Sequence, residues 1–178
     1  VHGCGGAGIS AVVIAAAAGA RVVAVDLSER ALRLASELGA EHTVDAGGSH
    51  DAVEEVRELT GGGAHVSLDC VGDPDSCAAS VSVLRTRGTH VQLGLMPPQQ
   101  GPPPVPMHLV IARELRLLGS HGLQAHEYPE MMRLLTGSRI DLDRLVGRRI
   151  GLDEVPEELV AMNEPASRQP GITVAEIG

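Results

Sequence analysis

The chain has 178 residues, 43% hydrophobic and 21% charged, with a formal net charge of -9, the balance of an ordinary globular unit rather than of a disordered or fibrous chain. All 14 basic residues are arginine, Phe and Trp are absent and Tyr128 is the single aromatic, so the core must be aliphatic and chemistry that needs a Schiff-base or phosphate-loop lysine is excluded. The acidic balance excludes nucleic acid and anionic membrane as general partners, and no apolar run approaches the roughly 20 residues of a membrane span.

The chain opens on Val1 and His2, without Met, and reaches its first glycine at Gly3. This predicts a fragment of a longer polypeptide whose first strand is cut to a stub, and no basic n-region of a signal peptide is seen. A helix is expected over 8–18, a turn at Gly19 and Ala20, and a buried strand over 21–26. Ser28 then caps a helix carrying Ala31, Leu32, Leu34, Ala35 and Leu38 at helical spacing, which Gly39 ends. A third strand is expected over 42–44, a helix over 52–59 stopped by Gly61 to Gly63, a fourth strand over 64–69, a helix over 75–84 and a fifth strand over 89–95. Six prolines in residues 96–106 read as a stiff loop that is neither helix nor central strand. A short helix from Met107 and a sixth strand over 115–118 follow.

Strands alternating with helices predict an α/β fold, a Rossmann-type doubly wound parallel sheet of six strands in the order 3-2-1-4-5-6. The remaining helices over 127–135 and 153–162 and strands over 145–150 and 172–177 exceed that unit. The two closing strands are expected to pair with a part of the protein outside this chain. Domains are thus expected at 1–140 and 141–178.

The loop Gly3-Cys4-Gly5-Gly6-Ala7-Gly8 carries the chemistry. Glycines at 3, 5 and 8 suit a tight strand-to-helix turn, close backbone approach to a pyrophosphate, and close packing of helix on strand. The helix that begins at Gly6 turns its unpaired amides and positive dipole end toward the phosphates. Asp26 ends the next strand 18 residues past Gly8, near the roughly 20 expected of an acid that binds a ribose 2'-hydroxyl. A carboxylate there accepts hydroxyl hydrogen bonds and repels a 2'-phosphate, which favours NAD over NADP, with Arg30 and Arg33 close by. A methyltransferase uses a similar loop and acid and stands as the distant alternative.

Cys4, Cys70 and Cys77 fall in no paired-ligand spacing, so neither a disulfide framework nor a zinc ribbon is expected, and reduced thiols suit a cytoplasmic location. Cys4 has no base beside it and reads as a small packing residue. His108, His121 and His126 lack companion ligands at a metal-binding spacing, and no metal site is expected here. The acidic run Asp153, Glu154, Glu157 and Glu158 reads as the first turns of a helix.

Several segments together resemble the medium-chain dehydrogenase/reductase superfamily, in its zinc-dependent alcohol dehydrogenase branch, over nearly the whole chain. They are the Gly-rich loop, Gly19-Ala20-Arg21-Val22-Val23-Ala24-Val25-Asp26, Ala35-Ser36-Glu37-Leu38-Gly39-Ala40, Asp69-Cys70-Val71-Gly72, Leu93-Gly94-Leu95, and Glu114-Leu115-Arg116-Leu117-Leu118-Gly119-Ser120. The resemblance implies that Cys70, Val71 and Gly72 border the adenosine side of NAD, that Leu93, Gly94 and Leu95 approach the nicotinamide, and that Ser120, His121 and Gly122 meet its carboxamide. The basic residue often found five places after the strand-end acid is replaced here by Ala31, and Arg30 or Arg33 is the substitute.

The implied activity is hydride transfer between an alcohol or carbonyl substrate and NAD. It is assisted by zinc whose ligands lie in an N-terminal catalytic domain absent from this chain, toward which 141–178 would return. No catalytic residue is assigned. A homo-oligomer, dimer or tetramer, is expected through the sixth strand. The alternatives are a zinc-free quinone oxidoreductase of the same superfamily and a non-catalytic nucleotide-binding module.

Overall fold

The structure is a computed structural model that describes residues 1–137, 141–162 and 170–177. Its elements run α1 (Gly6–Ala17), β1 (Val23–Asp26), α2 (Glu29–Glu37), β2 (His42–Asp45), α3 (Ala52–Leu59), β3 (Ala64–Asp69), α4 (Pro74–Ser82), β4 (Leu84–Gln92), α5 (Met107–Ala112), β5 (Arg116–Gly119), α6 (Tyr128–Gly137), β6 (Val146–Gly151), α7 (Val155–Ala161) and β7 (Ile172–Glu176). Among the described residues no helix is long and apolar enough to cross a membrane.

β1 pairs in parallel with β2, and β3, β4 and β5 pair in parallel in that order. The stub joins the two halves. His2 bridges Val25 on one side and Asp69 on the other, both in parallel. Its amide donates to the Leu68 carbonyl at 2.8 Å and its carbonyl accepts from Cys70 at 2.9 Å, while the Gly3 amide donates to Val25 at 2.8 Å. The order β2-β1-stub-β3-β4-β5 is the expected doubly wound one. In its centre His2 is the residue that bridges β1 and β3.

The helices lie on both faces. α1, apolar on nearly all sides, turns Ile9, Val12 and Val13 inward, and α2 turns Ala31, Leu32 and Ala35 inward with the one-sided spacing of an amphipathic helix. With Cys4, Val22 and Ala24 they form one aliphatic core. Across the sheet Val25, Val44, Val56 and Val83 form a second, closed by α3. A fully buried Ile or Val in either core contributes about 1.5–3 kcal/mol.

Three expectations need correction. The helix expected to reach Leu84 stops at Ser82, and Leu84, fully buried, opens β4 opposite Ala64. That strand therefore starts five residues early, with Arg87 at a φ of 61° and a register shift between Ala64 and Val66, the signature of a bulge. The proline-rich loop does contain one 3-10 turn, Pro98–Gln100, which a leading proline can begin without an amide donor. Beyond these, the two closing strands, β6 and β7, form a separate parallel pair with each other.

That small sheet packs back onto the first core. Leu145 joins the core and Ile172 lies against it, and the Arg144 guanidinium donates to the Glu37 carbonyl at 2.8 Å. Arg148 pairs with Glu154 and Glu158, and Arg149 with Asp143 and Glu176. The expected border between 140 and 141 falls beside residues 138–140, outside the described residues.

Candidate functional site

Of the residues expected to hold a cofactor, Gly3, Gly5, Asp26, Val71, Leu93 to Leu95 and Ser120 to Gly122 lie where a parallel strand or the stub ends, at the carboxyl edge of the sheet, and Gly6, Ala7, Gly8 and Arg30 lie in the first turns of α1 and α2 that follow. Gly3 leaves the stub with φ at 82°, a left-handed conformation that glycine takes without steric penalty. Gly8 sits on the α1 face pressed against that turn. A Cβ on Gly8 would stand 2.7 Å from the Gly3 carbonyl carbon and closer to its oxygen. Gly5 is exposed, and a Cβ there would meet nothing within 4 Å.

α1 starts without a side-chain cap and without an acidic residue in its first turn. By contrast Ser28 caps α2, Asp51 caps α3 and Asp73 caps α4, and each of those helices has an acid in its first turn. The amide-rich positive end at Gly6 and Ala7 is thus left for something other than this chain's own side chains. Asp26 faces the loop from the end of β1. One oxygen accepts from the Cys4 amide at 2.6 Å and the other from the Ser28 amide at 2.8 Å. The carboxylate thereby ties the Gly-rich loop to the start of α2, and each oxygen keeps acceptor capacity.

Val71 and Gly72 follow β3, Leu93, Gly94 and Leu95 follow β4, and Ser120, His121 and Gly122 follow β5. The Leu93 and Gly94 amides both donate to the Asp69 carbonyl, at 2.9 and 2.8 Å, and the Ser120 amide to the Gln92 carbonyl at 2.9 Å. Gly72 and Gly94 meet backbone to backbone, since a Cβ on Gly94 would lie 2.6 Å from the Gly72 Cα. Val71, Leu95, Ser120, His121 and Gly122 are exposed. Arg30 is exposed on the first turn of α2, Arg33 is occupied by Glu29 at 3.1 Å, and Ala31 is buried in the core.

Beneath these loops lies a group that sequence reasoning missed. Ser67 and Asp69 on β3 stand opposite His90 and Gln92 on β4, and Ser76 and Ser80 of α4 close over them. Ser67 and Ser80 hydroxyls lie 3.3 and 3.1 Å from His90 Nδ1, and His90 Nε2 lies 3.1 Å from Gln92 Oε1. Gln92 Nε2 donates to Asp69 Oδ2 at 2.7 Å and to the Gly94 carbonyl at 2.9 Å. Asp69 Oδ1 accepts from the Val71 and Gly72 amides and the Ser76 hydroxyl. Burial, the largest cause, lowers the His90 pKa. The available signal was polar residues at alternate positions, 67 and 69, then 90 and 92, within strands expected to be buried.

Cys4 and Cys70 are pushed up to about 12 and about 11, chiefly by burial, which makes both poor thiolate nucleophiles. Among the described residues no three His, Cys, Asp or Glu side chains gather as a metal-binding group, so the donors present do not fit a zinc ion and no chemistry is routed through one here. A cavity of about 590 Å³ opens between β1, β3 and α3, lined by residues such as Val22, Val56, Leu59 and Val66. None of the strand-end loop residues lines it, and it forms no part of the site.

The sequence profile of a family described as zinc-binding dehydrogenase matches residues 6–137. Geraniol dehydrogenase of Castellaniella defragrans is 30% identical over 174 residues, 96% of this chain and 46% of that protein. Among solved structures, one described as a zinc-binding dehydrogenase of Sinorhizobium meliloti, bound to NADP, superposes with a TM-score of 0.85 at 31% identity, covering 99% of this chain and 51% of that one. Benzyl alcohol dehydrogenase of Acinetobacter calcoaceticus gives 0.85 at 25% identity, over 99% and 48%. The chain thus spans about half the length of the relatives it matches, with the parallel α/β architecture of their cofactor-binding half. It belongs to the zinc-binding dehydrogenase family, the alcohol dehydrogenase branch of the medium-chain dehydrogenase/reductase superfamily.

Proposed function

We infer that this chain is the NAD-binding portion of an oxidoreductase that moves hydride between a small alcohol or carbonyl substrate and NAD, with zinc supplied by residues outside 1–178. The observation that carries the reading is the convergence, at the carboxyl edge of the sheet, of an uncapped helix start with a strand-end acid that reaches its loop, the arrangement a dinucleotide needs. The amides of Gly5, Gly6 and Ala7 would take the pyrophosphate and Asp26 the adenosine ribose, with Arg30 above it. Val71 would border the adenosine side, Leu93, Gly94 and Leu95 the nicotinamide, and Ser120, His121 and Gly122 its carboxamide. When bound, the nicotinamide supplies the carbon that gives or takes hydride. Residues 141–177 would form the start of a return toward the catalytic half.

NAD is preferred because Asp26 presents its carboxylate where NADP carries a phosphate. The NADP on the S. meliloti relative, together with exposed Arg30, makes NADP the second reading. Calorimetric titration decides between them. NADH should bind at least about tenfold more tightly than NADPH, a difference of about 1.4 kcal/mol, and Asp26→Ser should narrow the gap. Equal or reversed affinities would sink the NAD assignment.

The three cysteines are free, which supports a reducing, cytoplasmic setting. We further expect a homo-oligomer through β5. Among the described residues that strand pairs only with β4, all four of its residues are exposed, and Leu118 is 53% exposed, so its outer edge offers unpaired backbone groups beside apolar side chains. Arg116 is the guard charge that would oppose this. Sedimentation of wild type at micromolar concentration should show a dimer, and Leu117→Pro, with its melting curve checked, should shift it to monomer. A stable wild-type monomer refutes the interface.

A further inference from the structure

We propose that Gln92 is a positioning residue, a buried amide clip that holds the Gly94-Leu95 loop on the nicotinamide side in register with the Val71-Gly72 loop on the adenosine side, so that the cofactor meets a preformed surface. The proposal rests on the dinucleotide reading above and adds a residue that touches no part of the cofactor itself.

The geometry leaves one consistent set of donors. Asp69 Oδ2 and the Gly94 carbonyl are acceptors, so the group facing them at 2.7 and 2.9 Å must be the Gln92 NH2, both of whose hydrogens are then used. Gln92 Oε1 therefore faces His90, and His90 Nε2 must carry the hydrogen that it accepts at 3.1 Å. His90 Nδ1, with its one lone pair, is left to accept from the Ser80 hydroxyl at 3.1 Å, with the Ser67 hydroxyl at 3.3 Å as the longer, competing donor. Asp69, fully buried, receives the amides of Val71 and Gly72 on its other oxygen. One loop is thus held by Asp69, the other by Gln92 through Gly94, and Gln92 bonds both. The backbones of Gly72 and Gly94 meet at this point with no room for a Cβ on either, so a small change in the clip is carried directly into both loops.

Deleting one buried partner leaves the others unsatisfied and loosens both loops. The titratable groups around the clip are Asp69 on β3, His90 on β4, His2 on the stub and Cys77 on α4, with Asp73 beyond it. In Gln92→Leu, NADH affinity should fall about tenfold or more. Affinity for ADP-ribose, which lacks the nicotinamide but keeps the adenosine side that Asp69 still holds through Val71 and Gly72, should fall by clearly less, about threefold at most. Gln92→Glu should also bind NADH weakly near pH 8 and recover toward about pH 6, because a carboxyl beside Asp69 gains its proton early and then donates the missing hydrogen bond. The leucine variant has no proton to gain and should not recover.

Nitrogen-15 NMR of His90 in the unliganded chain reads the relay independently. Wild type should show the Nε2-protonated tautomer, and Gln92→Leu should lose that preference. Equal losses for NADH and ADP-ribose, no loss for NADH, no acid recovery of the glutamate variant, or an Nδ1-protonated His90 in wild type would each overturn the proposal. A wild-type chain that binds neither NADH nor NADPH overturns the cofactor reading and the positioning role with it. The His90 signal then still shows whether the relay exists, which separates the two failures.

Discussion

Gly8→Ala is expected to destabilise the chain severely while Gly5→Ala leaves it folded and holding a dinucleotide at least about tenfold more weakly. The two glycines are three residues apart in one loop, yet their surroundings differ completely. A methyl on Gly8 drives into the Gly3 carbonyl, with 2.7 Å to its carbon and 3.5 Å to Cys70 Cβ. Those neighbours are backbone and strand, held on one side by the Gly3 amide bond to Val25 and on the other by the Cys70 bond to His2, so relief requires α1 to move off the sheet. Overpacking against such rigid partners costs about 3 kcal/mol. At about 2–4 °C per kcal/mol for a chain of this size, the melting temperature should fall by roughly 10 °C.

A methyl on Gly5 meets nothing within 4 Å, and Gly5 has an ordinary φ of -69°. Its replacement costs no more than about 1 kcal/mol as a helix cap. The space is instead that through which a pyrophosphate would approach the amides of Gly6 and Ala7, so NADH affinity should drop at least about tenfold. Differential scanning fluorimetry and NADH titration on both variants check the pair. A Gly8→Ala chain that melts like wild type would show that α1 yields easily. A Gly5→Ala chain with unchanged NADH binding would remove the pyrophosphate from this loop.

Stability should begin to fall with acidification just below neutrality, before the ordinary carboxylate range is reached. His2 is buried between β1 and β3, and burial, followed by the neighbouring N-terminal charge, lowers its pKa from 6.5 to about 3. Between those values the unfolded chain takes up a proton that the folded chain refuses. The unfolded state therefore binds more protons, and stability rises with pH across the window and is lost as pH falls through it. One such group removes about 1.4 kcal/mol per pH unit, or about 2.7 kcal/mol at two units below 6.5, a large part of the ordinary 5–15 kcal/mol of a domain. His90, also lowered by burial, acts in the same direction. Urea titrations at stepped pH should give this slope, and His2→Leu should flatten it by about one proton's worth. A stability that stays level from pH 7 to pH 5 would contradict the buried, neutral state of both histidines.

What local sequence determined here is what local physics can encode. The apolar spacing of 31, 32 and 35, the Ser28 cap and the glycine at 39 specify α2 without reference to any other part of the chain. The spacing from Gly8 to Asp26 identified the pair that the fold then brings together, because a helix and a strand of ordinary length return the chain to the same edge of the sheet. The loops at 71–72 and 120–122 were legible as strand ends, whereas 93–95 read as the last residues of a strand that the structure ends at Gln92.

The tertiary structure decided what depends on partners far away in sequence. Leu84 reads equally well as the end of a helix or the start of a strand, and its burial opposite Ala64 chose the strand. β6 and β7 lie more than 20 residues apart, and nothing along either one says that each is the other's neighbour. The clip at Gln92 needs β3 and β4 in one register, so that Ser67 meets His90 and Asp69 meets Gln92. Composition can place polar residues on a strand, but only the pairing of strands decides whether their hydrogen bonds close.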